Sequence, residues 1–162
     1  MNLLFVCTGN ICRSPLAEVI ARAEADARGW AEVSCASAGT FAFSGRPASG
    51  PGVAVAAAHG LDLAGHASRE LSPELVEWAD VIIGMEASHA GAAARLAPDA
   101  AVHVMTDFLP ADDGRHEGGV PDPYGGDIET YEATRELLMR AMRGLFDALG
   151  EEGRGGREGA GS

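Results

Sequence analysis

The 162-residue chain contains 24 acidic residues, 12 arginines and no lysine, which gives a formal net charge of −12. This length fits a single domain. The acidic character argues against nucleic acid or an anionic membrane as a partner, because both require a basic surface. Three cysteines, the lack of a signal-peptide pattern and the lack of an apolar run of spanning length predict a cytoplasmic protein without a disulfide framework.

Short apolar segments alternate with helical patterns, which predicts an α/β fold with a parallel sheet covered on both faces. Strands are predicted over residues 2–6, 32–36, 81–85 and 101–105. Helices are predicted over residues 15–28, 51–59 and 86–96, after Ser72, and from the N-cap Asp127 to residue 149. The last helix carries an apolar stripe from Ile128 to Leu149. Residues 1–149 form the predicted domain, and the Gly-, Glu- and Arg-rich tail 150–162 is predicted to be disordered.

The turn between the first strand and the first helix is the most informative segment. Residues 6–15 read VCTGNICRSP, so Cys7 lies at the end of a strand and shortly before a helix N-terminus. Such a terminus presents unpaired N–H donors and the positive end of the helix dipole. We expect a phosphate site that also favours the thiolate form of Cys7. Its residues are Thr8, Gly9, Asn10, Ile11, Cys12, Arg13 and Ser14.

Two further residues can complete this site. Arg13 follows Cys7 after five intervening residues, so one closed turn can direct a thiol and a planar guanidinium at the same phosphorus. Asp122, in the proline-stiffened loop 120–126, is the candidate general acid. Two structural alternatives stay open. Cys7 can be a buried structural thiol, and Asp-Pro before Gly-Gly is also a common turn.

Two loops, 37–45 and 107–126, leave the carboxyl ends of predicted strands, where ligands collect in open parallel sheets. We therefore expect both loops beside Cys7. The five histidines form no ligand pair with a cysteine or a carboxylate, so neither a metal site nor a cofactor is predicted.

These motifs resemble the low molecular weight protein tyrosine phosphatase family over residues 1–149. The phosphate loop from Cys7 to Ser14, the Ser37-Ala38-Gly39 turn and the Asp122-Pro123-Tyr124 loop occur in the family's order. The resemblance implies a four-stranded parallel sheet in the order 2-1-3-4 and a two-step phosphatase reaction without a metal or cofactor. It assigns Cys7 as the nucleophile, Arg13 as the phosphate clamp, and Asp122 as the acid that later becomes the base.

The same resemblance implies supporting roles. Asn10, Ser14, Ser37 and His66 match the polar network that holds the family's phosphate loop in shape, with Ser14 placed to bond the thiolate. Cys12 matches a second cysteine that, in relatives, forms a reversible disulfide with the nucleophile under oxidation. For this chain, we state the Cys7–Cys12 redox pair as a hypothesis.

Substrate preference depends on the pocket residues Ile11, Phe41, Phe43 and Tyr124. The short loop 40–47 and Gly125-Gly126 resemble the bacterial protein-arginine phosphatase branch, which is the alternative function. Ile11 stands where that branch tends to place threonine, and an apolar wall suits a flat phenol ring. The resemblance therefore favours phosphotyrosine in proteins or peptides as the substrate, with inorganic phosphate as product and inhibitor.

Two other classes of function remain alternatives. An arsenate reductase on this scaffold would need a resolving cysteine in the mobile loop, and residues 107–126 contain none. A noncatalytic phosphopeptide-binding module would have lost its acid or nucleophile, and both are present here.

Overall fold

The computed structural model describes residues 1–114, 116 and 118–158. Its strands are β1 (Asn2–Cys7), β2 (Ser34–Gly39), β3 (Val81–Gly84) and β4 (Ala101–Val104). They form one parallel sheet in the order β2-β1-β3-β4. β1 pairs with both β2 and β3, and β3 pairs with β4. The predicted α/β class, the parallel pairing and the strand order are confirmed.

Helices cover both faces of this sheet. They are α1 (Arg13–Ala27), α2 (Gly50–Ala58), α3 (Pro73–Trp78), α4 (Ala87–Leu96) and α5 (Ile128–Glu158), with a 3₁₀ turn over Met105–Phe108. Side chains of β1 alternate between the two faces. Leu3 and Phe5 pack in the core that includes α1, α2 and α5, whereas Leu4 and Val6 pack in the core that includes α3 and α4. β1 thus lies at the centre of a three-layer fold.

The second strand differs from its prediction. β2 begins two residues later and ends three residues later than expected, so Ser37-Ala38-Gly39 continues the strand and pairs with the end of β1. Alanine and glycine have low strand propensity, which made this segment look like a turn. Gly39 is required there because an added Cβ would collide with the Thr8 carbonyl oxygen. β2 and the phosphate loop therefore approach each other closely.

The last helix also differs from its prediction. Asp127 Oδ1 accepts a 2.9 Å bond from the Thr130 N–H, as expected of an N-cap, but Ile128 is exposed, so the buried stripe begins at Tyr131. The tail 150–162 was predicted to be disordered, whereas α5 extends to Glu158. Gly150 lies on the Trp30 ring, which supports the helix beyond residue 149. Residues 159–162 lie outside the described residues.

Within residues 1–114, 116 and 118–158, no helix combines the length and the apolar character that crossing a bilayer requires.

Candidate active site

Cys7 is the last residue of β1 and opens into a cavity of about 260 Å³ at the carboxyl edge of the sheet. Its side chain is only 2% exposed, and its Sγ lies 2.9 Å from Ser14 Oγ. The cavity brings together most of the predicted site residues and adds Arg46. The lining residues are Cys7, Thr8, Gly9, Ile11, Cys12, Arg13, Phe41, Phe43, Arg46, Asp122 and Tyr124.

The backbone from Thr8 to Cys12 forms an open ring of hydrogen-bond donors. Among the described residues, none accepts a bond from the backbone N–H groups of residues 8–12. No described side chain caps the N-terminus of α1, and the first turn of this helix contains no acidic residue. Asn10 turns the loop with a φ of 55°, in the left-handed region that asparagine tolerates. Free N–H groups at a helix N-terminus above a cysteine make an anion site.

Arg13 is a buried cation whose hydrogen bonds are made by Nη1 alone. Its Nη1 donates to Glu86 Oε1 at 2.8 Å and to the Val120 carbonyl oxygen at 2.9 Å. Its Nη2 lies 3.8 Å from Asp122 Oδ2, whereas its buried Nε has no partner among the described residues. A buried donor without an acceptor is costly. Because Arg13 lines the cavity, a bound phosphoryl group can supply that acceptor.

Asn10 is the centre of the network behind the loop. Its Nδ2 donates to Ser14 Oγ and to Ser37 Oγ, both at 2.9 Å. His66 Nε2 donates to the Asn10 carbonyl oxygen at 2.6 Å, and the Arg69 N–H donates to Asn10 Oδ1 at 3.0 Å. The structure thus brings together all four residues of the predicted supporting network and adds Arg69.

Ser14 links this network to the sulfur. Its hydroxyl oxygen accepts from Asn10, so its own hydrogen can be donated to Cys7 Sγ at 2.9 Å or to the Ala38 carbonyl oxygen at 3.4 Å. A hydroxyl that donates to Cys7 stabilises negative charge on its sulfur.

Glu86 and His89, at the start of α4, were not predicted as site residues. Glu86 pairs with Arg13, and His89 Nδ1 accepts from the Glu86 N–H at 3.0 Å. His89 Nε2 lies 2.9 Å from Thr8 Oγ1. Burial lowers the pKa of His89, and the positive charge of Arg13 lowers it further. The ring is therefore neutral near pH 7, and because Nδ1 accepts, Nε2 carries the proton and donates to Thr8.

Asp122 lies on a loop anchored to the rest of the site. The Val120 N–H donates to the Met85 carbonyl oxygen at 2.9 Å, while the Val120 carbonyl oxygen accepts from Arg13. Asp122 Oδ1 accepts from the Tyr124 N–H at 3.1 Å. The half-exposed Asp122 carboxylate therefore has a fixed turn geometry at the edge of the cavity, as a general acid requires.

Exposed aromatic rings form the outer wall of the cavity. Phe41 and Tyr124 are 73% and 72% exposed, and the rings of Phe41 and Phe43 meet edge to face with centroids 5.9 Å apart. Single exposed aromatics are ordinary, but three of them around one cavity form a surface that a flat apolar group can contact. The sequence prediction named all three residues for this pocket.

Cys12 contacts Tyr131 and forms no disulfide. Its Sγ is 3.3 Å from the Tyr131 hydroxyl, and all three cysteines are free thiols. Burial raises the pKa of Cys12 and raises the pKa of Tyr131 to about 12. Both groups therefore stay protonated near neutral pH. The Cys7–Cys12 redox pair stays a prediction.

In the part of the chain that the structure describes, no three His, Cys, Asp or Glu side chains are grouped so as to hold a metal ion.

Known proteins resemble this chain over most of its length. A family model for low molecular weight phosphotyrosine protein phosphatases matches residues 2–155. The low molecular weight protein-tyrosine-phosphatase Wzb of Escherichia coli (strain K12) is 38% identical over 151 residues, which cover 93% of this chain and 97% of Wzb. A protein-arginine-phosphatase of Geobacillus stearothermophilus is 34% identical over 153 residues, with 93% and 97% covered. The crystal structure of a low molecular weight protein tyrosine phosphatase from T. tengcongensis matches with a TM-score of 0.81 at 36% identity, covering 91% of this chain and 99% of that one.

Proposed function

Because the chain belongs to the low molecular weight protein-tyrosine-phosphatase family, whose members are phosphoric monoester hydrolases, we propose that it hydrolyses phosphotyrosine in proteins through a phosphocysteine intermediate. One observation carries this proposal. Cys7 Sγ lies 2.9 Å from the Ser14 hydroxyl on the floor of a cavity that is also lined by Arg13, whose buried Nε finds no acceptor in the described part of the chain.

In the first step, the Cys7 thiolate attacks the phosphorus of the bound ester. An S–P bond forms as the P–O bond to the tyrosine oxygen breaks, and Asp122 gives its proton to that oxygen. Arg13 holds phosphoryl oxygens with Nε and Nη2 while Nη1 stays bonded to Glu86 and Val120. The loop N–H groups bind the remaining phosphoryl oxygen.

In the second step, water releases the phosphoryl group. Asp122, now a carboxylate, takes a proton from the water. As it does so, the water oxygen forms a P–O bond and the S–P bond breaks. Inorganic phosphate leaves, and Cys7 regains its thiolate. These steps balance without a metal ion or a cofactor, and phosphate is both product and competitive inhibitor. Since a free thiolate persists in a reducing compartment, we place the enzyme in the cytoplasm.

The pocket wall favours a phenol over a guanidine. Ile11, Phe41, Phe43 and Tyr124 line the cavity with apolar surface, which stacks on a flat ring but offers little to a long polar side chain. Arginine phosphatase activity is the second candidate, because Gly125-Gly126 resembles that branch and an arginine phosphatase is among the relatives.

Matched phosphotyrosine and phosphoarginine peptides decide between these substrates. We expect wild-type kcat/KM to be higher for phosphotyrosine, and we expect Ile11→Thr to weaken that preference. A wild-type preference for phosphoarginine would overturn the substrate assignment and leave the thiolate mechanism intact. Turnover of para-nitrophenyl phosphate by wild type but not by Cys7→Ser separates an enzyme from a phosphopeptide-binding module.

A further inference from the structure

Arg46 lies at the mouth of the same cavity, on the loop that carries Phe41 and Phe43. We propose that Arg46 binds an acidic side chain next to the phosphorylated residue of the substrate protein, so that the enzyme prefers phosphorylation sites with acidic neighbours. This inference rests on the proposed function, because it requires a peptide chain that extends out of the pocket.

Among the residues that the structure describes, Arg46 has no acidic partner. Of the two arginines that line the cavity, Arg13 is buried against Glu86, whereas Arg46 is exposed. None of the ion pairs among the described residues includes Arg46. Its planar guanidinium therefore has donors left for a carboxylate, which it can bind in a two-pronged manner.

The loop that carries Arg46 is held rigidly by Ser68, which is buried. The Gly45 N–H donates to the Ser68 carbonyl oxygen at 2.8 Å, and the Ser68 N–H donates to the Arg46 carbonyl oxygen at 2.8 Å. Ser68 Oγ accepts from the Arg46 N–H at 2.9 Å and donates to the Phe43 carbonyl oxygen. These four hydrogen bonds to Ser68 fix the backbone of residues 43–46, so this loop loses little conformational entropy when a peptide binds there.

The side chain of Arg46 is also held in position, by the ring of Phe43. Its Cζ lies 4.7 Å from the centroid of the Phe43 ring, a cation–π contact. This contact positions the charge beside the ring that is proposed to contact the phosphotyrosine. A peptide whose phosphotyrosine enters the cavity has to pass the pocket mouth, so we expect its flanking side chains to come close to Arg46.

The overall charge makes this local cation important. The chain carries a formal net charge of −12, so an acidic peptide meets a repulsive field over most of the surface. Arg46 places a positive charge at the pocket mouth, where the substrate enters. Removing it should therefore penalise acidic peptides more than neutral ones.

The test compares two phosphotyrosine peptides that differ only in their flanking residues, which are glutamate in one and glutamine in the other. The quantity measured is the ratio of kcat/KM for the acidic peptide to that for the neutral peptide. An exposed ion pair predicts that Arg46→Gln lowers this ratio about 1.5- to 5-fold, mainly through KM, and that Arg46→Glu lowers it further. High salt should reduce the difference between wild type and Arg46→Gln.

The matched control is Arg143→Gln, which removes an exposed arginine on α5 that does not line the cavity. Its ratio should equal that of wild type. An Arg46→Gln ratio equal to that of wild type, or an equal drop in Arg143→Gln, overturns the proposal. Hydrolysis of para-nitrophenyl phosphate by each preparation tests the proposed function separately. If no substrate is hydrolysed, the ratio of Kd values measured with Cys7→Ala still decides whether Arg46 selects acidic neighbours.

Discussion

His89 Nε2 donates to Thr8 Oγ1 at 2.9 Å, and so ties the start of α4 to the residue that follows Cys7. Glu86, three residues before His89, accepts a hydrogen bond from Arg13 at the other end of the phosphate loop. Gly84 makes this brace possible, because an added Cβ would lie 2.6 Å from the Ala90 nitrogen and push α4 away from β3. The β3–α4 corner therefore fixes both ends of the loop that is proposed to bind phosphate.

His89 should make the stability of the fold depend on pH. Its pKa is lowered from the usual 6.5 by burial and by Arg13, so the unfolded chain binds a proton more readily than the folded one. The stability that the neutral His89 ring contributes is fully present above pH 6.5 and is lost as the pH falls through the lowered pKa. The free energy of unfolding in urea should fall less steeply with acid in His89→Gln than in wild type. His103→Gln, which changes an exposed histidine, is the control and should keep the wild-type slope.

Glu86 should act through Arg13. Glu86→Ala leaves the Nη1 of a buried guanidinium with one acceptor instead of two, so we expect kcat/KM for para-nitrophenyl phosphate to fall about tenfold or more. Glu86→Gln keeps an acceptor oxygen and should lose less. Glu74→Ala, which removes an exposed carboxylate from α3, should change nothing measurable. Equal rates for Glu86→Ala and wild type would show that the Val120 carbonyl alone orients Arg13.

Asp122→Asn should remove the general acid while leaving phosphate binding intact. The loss in kcat should be about 10²–10⁴-fold for a phenol leaving group, which needs a proton, and smaller for para-nitrophenol. Steady-state kinetics with phenyl phosphate and para-nitrophenyl phosphate measure both, and competition by inorganic phosphate measures binding. An unchanged rate with phenyl phosphate would exclude Asp122 from the mechanism.

Oxidation should join Cys7 to Cys12. Peroxide oxidises the proposed nucleophile, Cys7, first, because the raised pKa of Cys12 keeps Cys12 protonated and less reactive. The Cys12 thiol can then react with the sulfenic acid of Cys7 to form a disulfide and release water. Peptide mapping should find a Cys7–Cys12 link in wild type and irreversible overoxidation of Cys7 in Cys12→Ser. Cys35→Ser should behave as wild type. Overoxidised Cys7 in the wild-type chain, without the link, would refute the protective role.

The parts of the site that could be predicted are those encoded by neighbouring residues. An apolar strand, a Gly-Asn turn and a helix start lie next to one another around Cys7, so local patterns place the proposed nucleophile, the loop N–H donors and Arg13 in one turn. The alternation of strands and helices likewise determines a parallel sheet, and the carboxyl edges of its strands define where the loops meet.

The parts that were missed depend on contacts between distant segments. Glu86 lies 73 residues from Arg13 in sequence, and His89 lies 81 residues from Thr8. Before the fold is known, a Glu-x-x-His sequence at a helix start indicates only a helix terminus. Ser68 and Arg69 are similar, since their roles arise from bonds to the 43–46 loop and to Asn10. The end of β2 was missed because strand pairing with β1 outweighs the low propensity of its alanine and glycine.

The most direct test of the account is a search for the phosphoryl group on Cys7. Asp122→Asn should be mixed with para-nitrophenyl phosphate, whose good leaving group needs little acid, so that the slowed hydrolysis step accumulates the intermediate. After a denaturing quench, mass spectrometry should find the peptide that contains Cys7 heavier by one phosphoryl group, and Cys7→Ala should show none. An unmodified Cys7 peptide, together with turnover by Cys7→Ala, would contradict the proposal that this sulfur is the nucleophile.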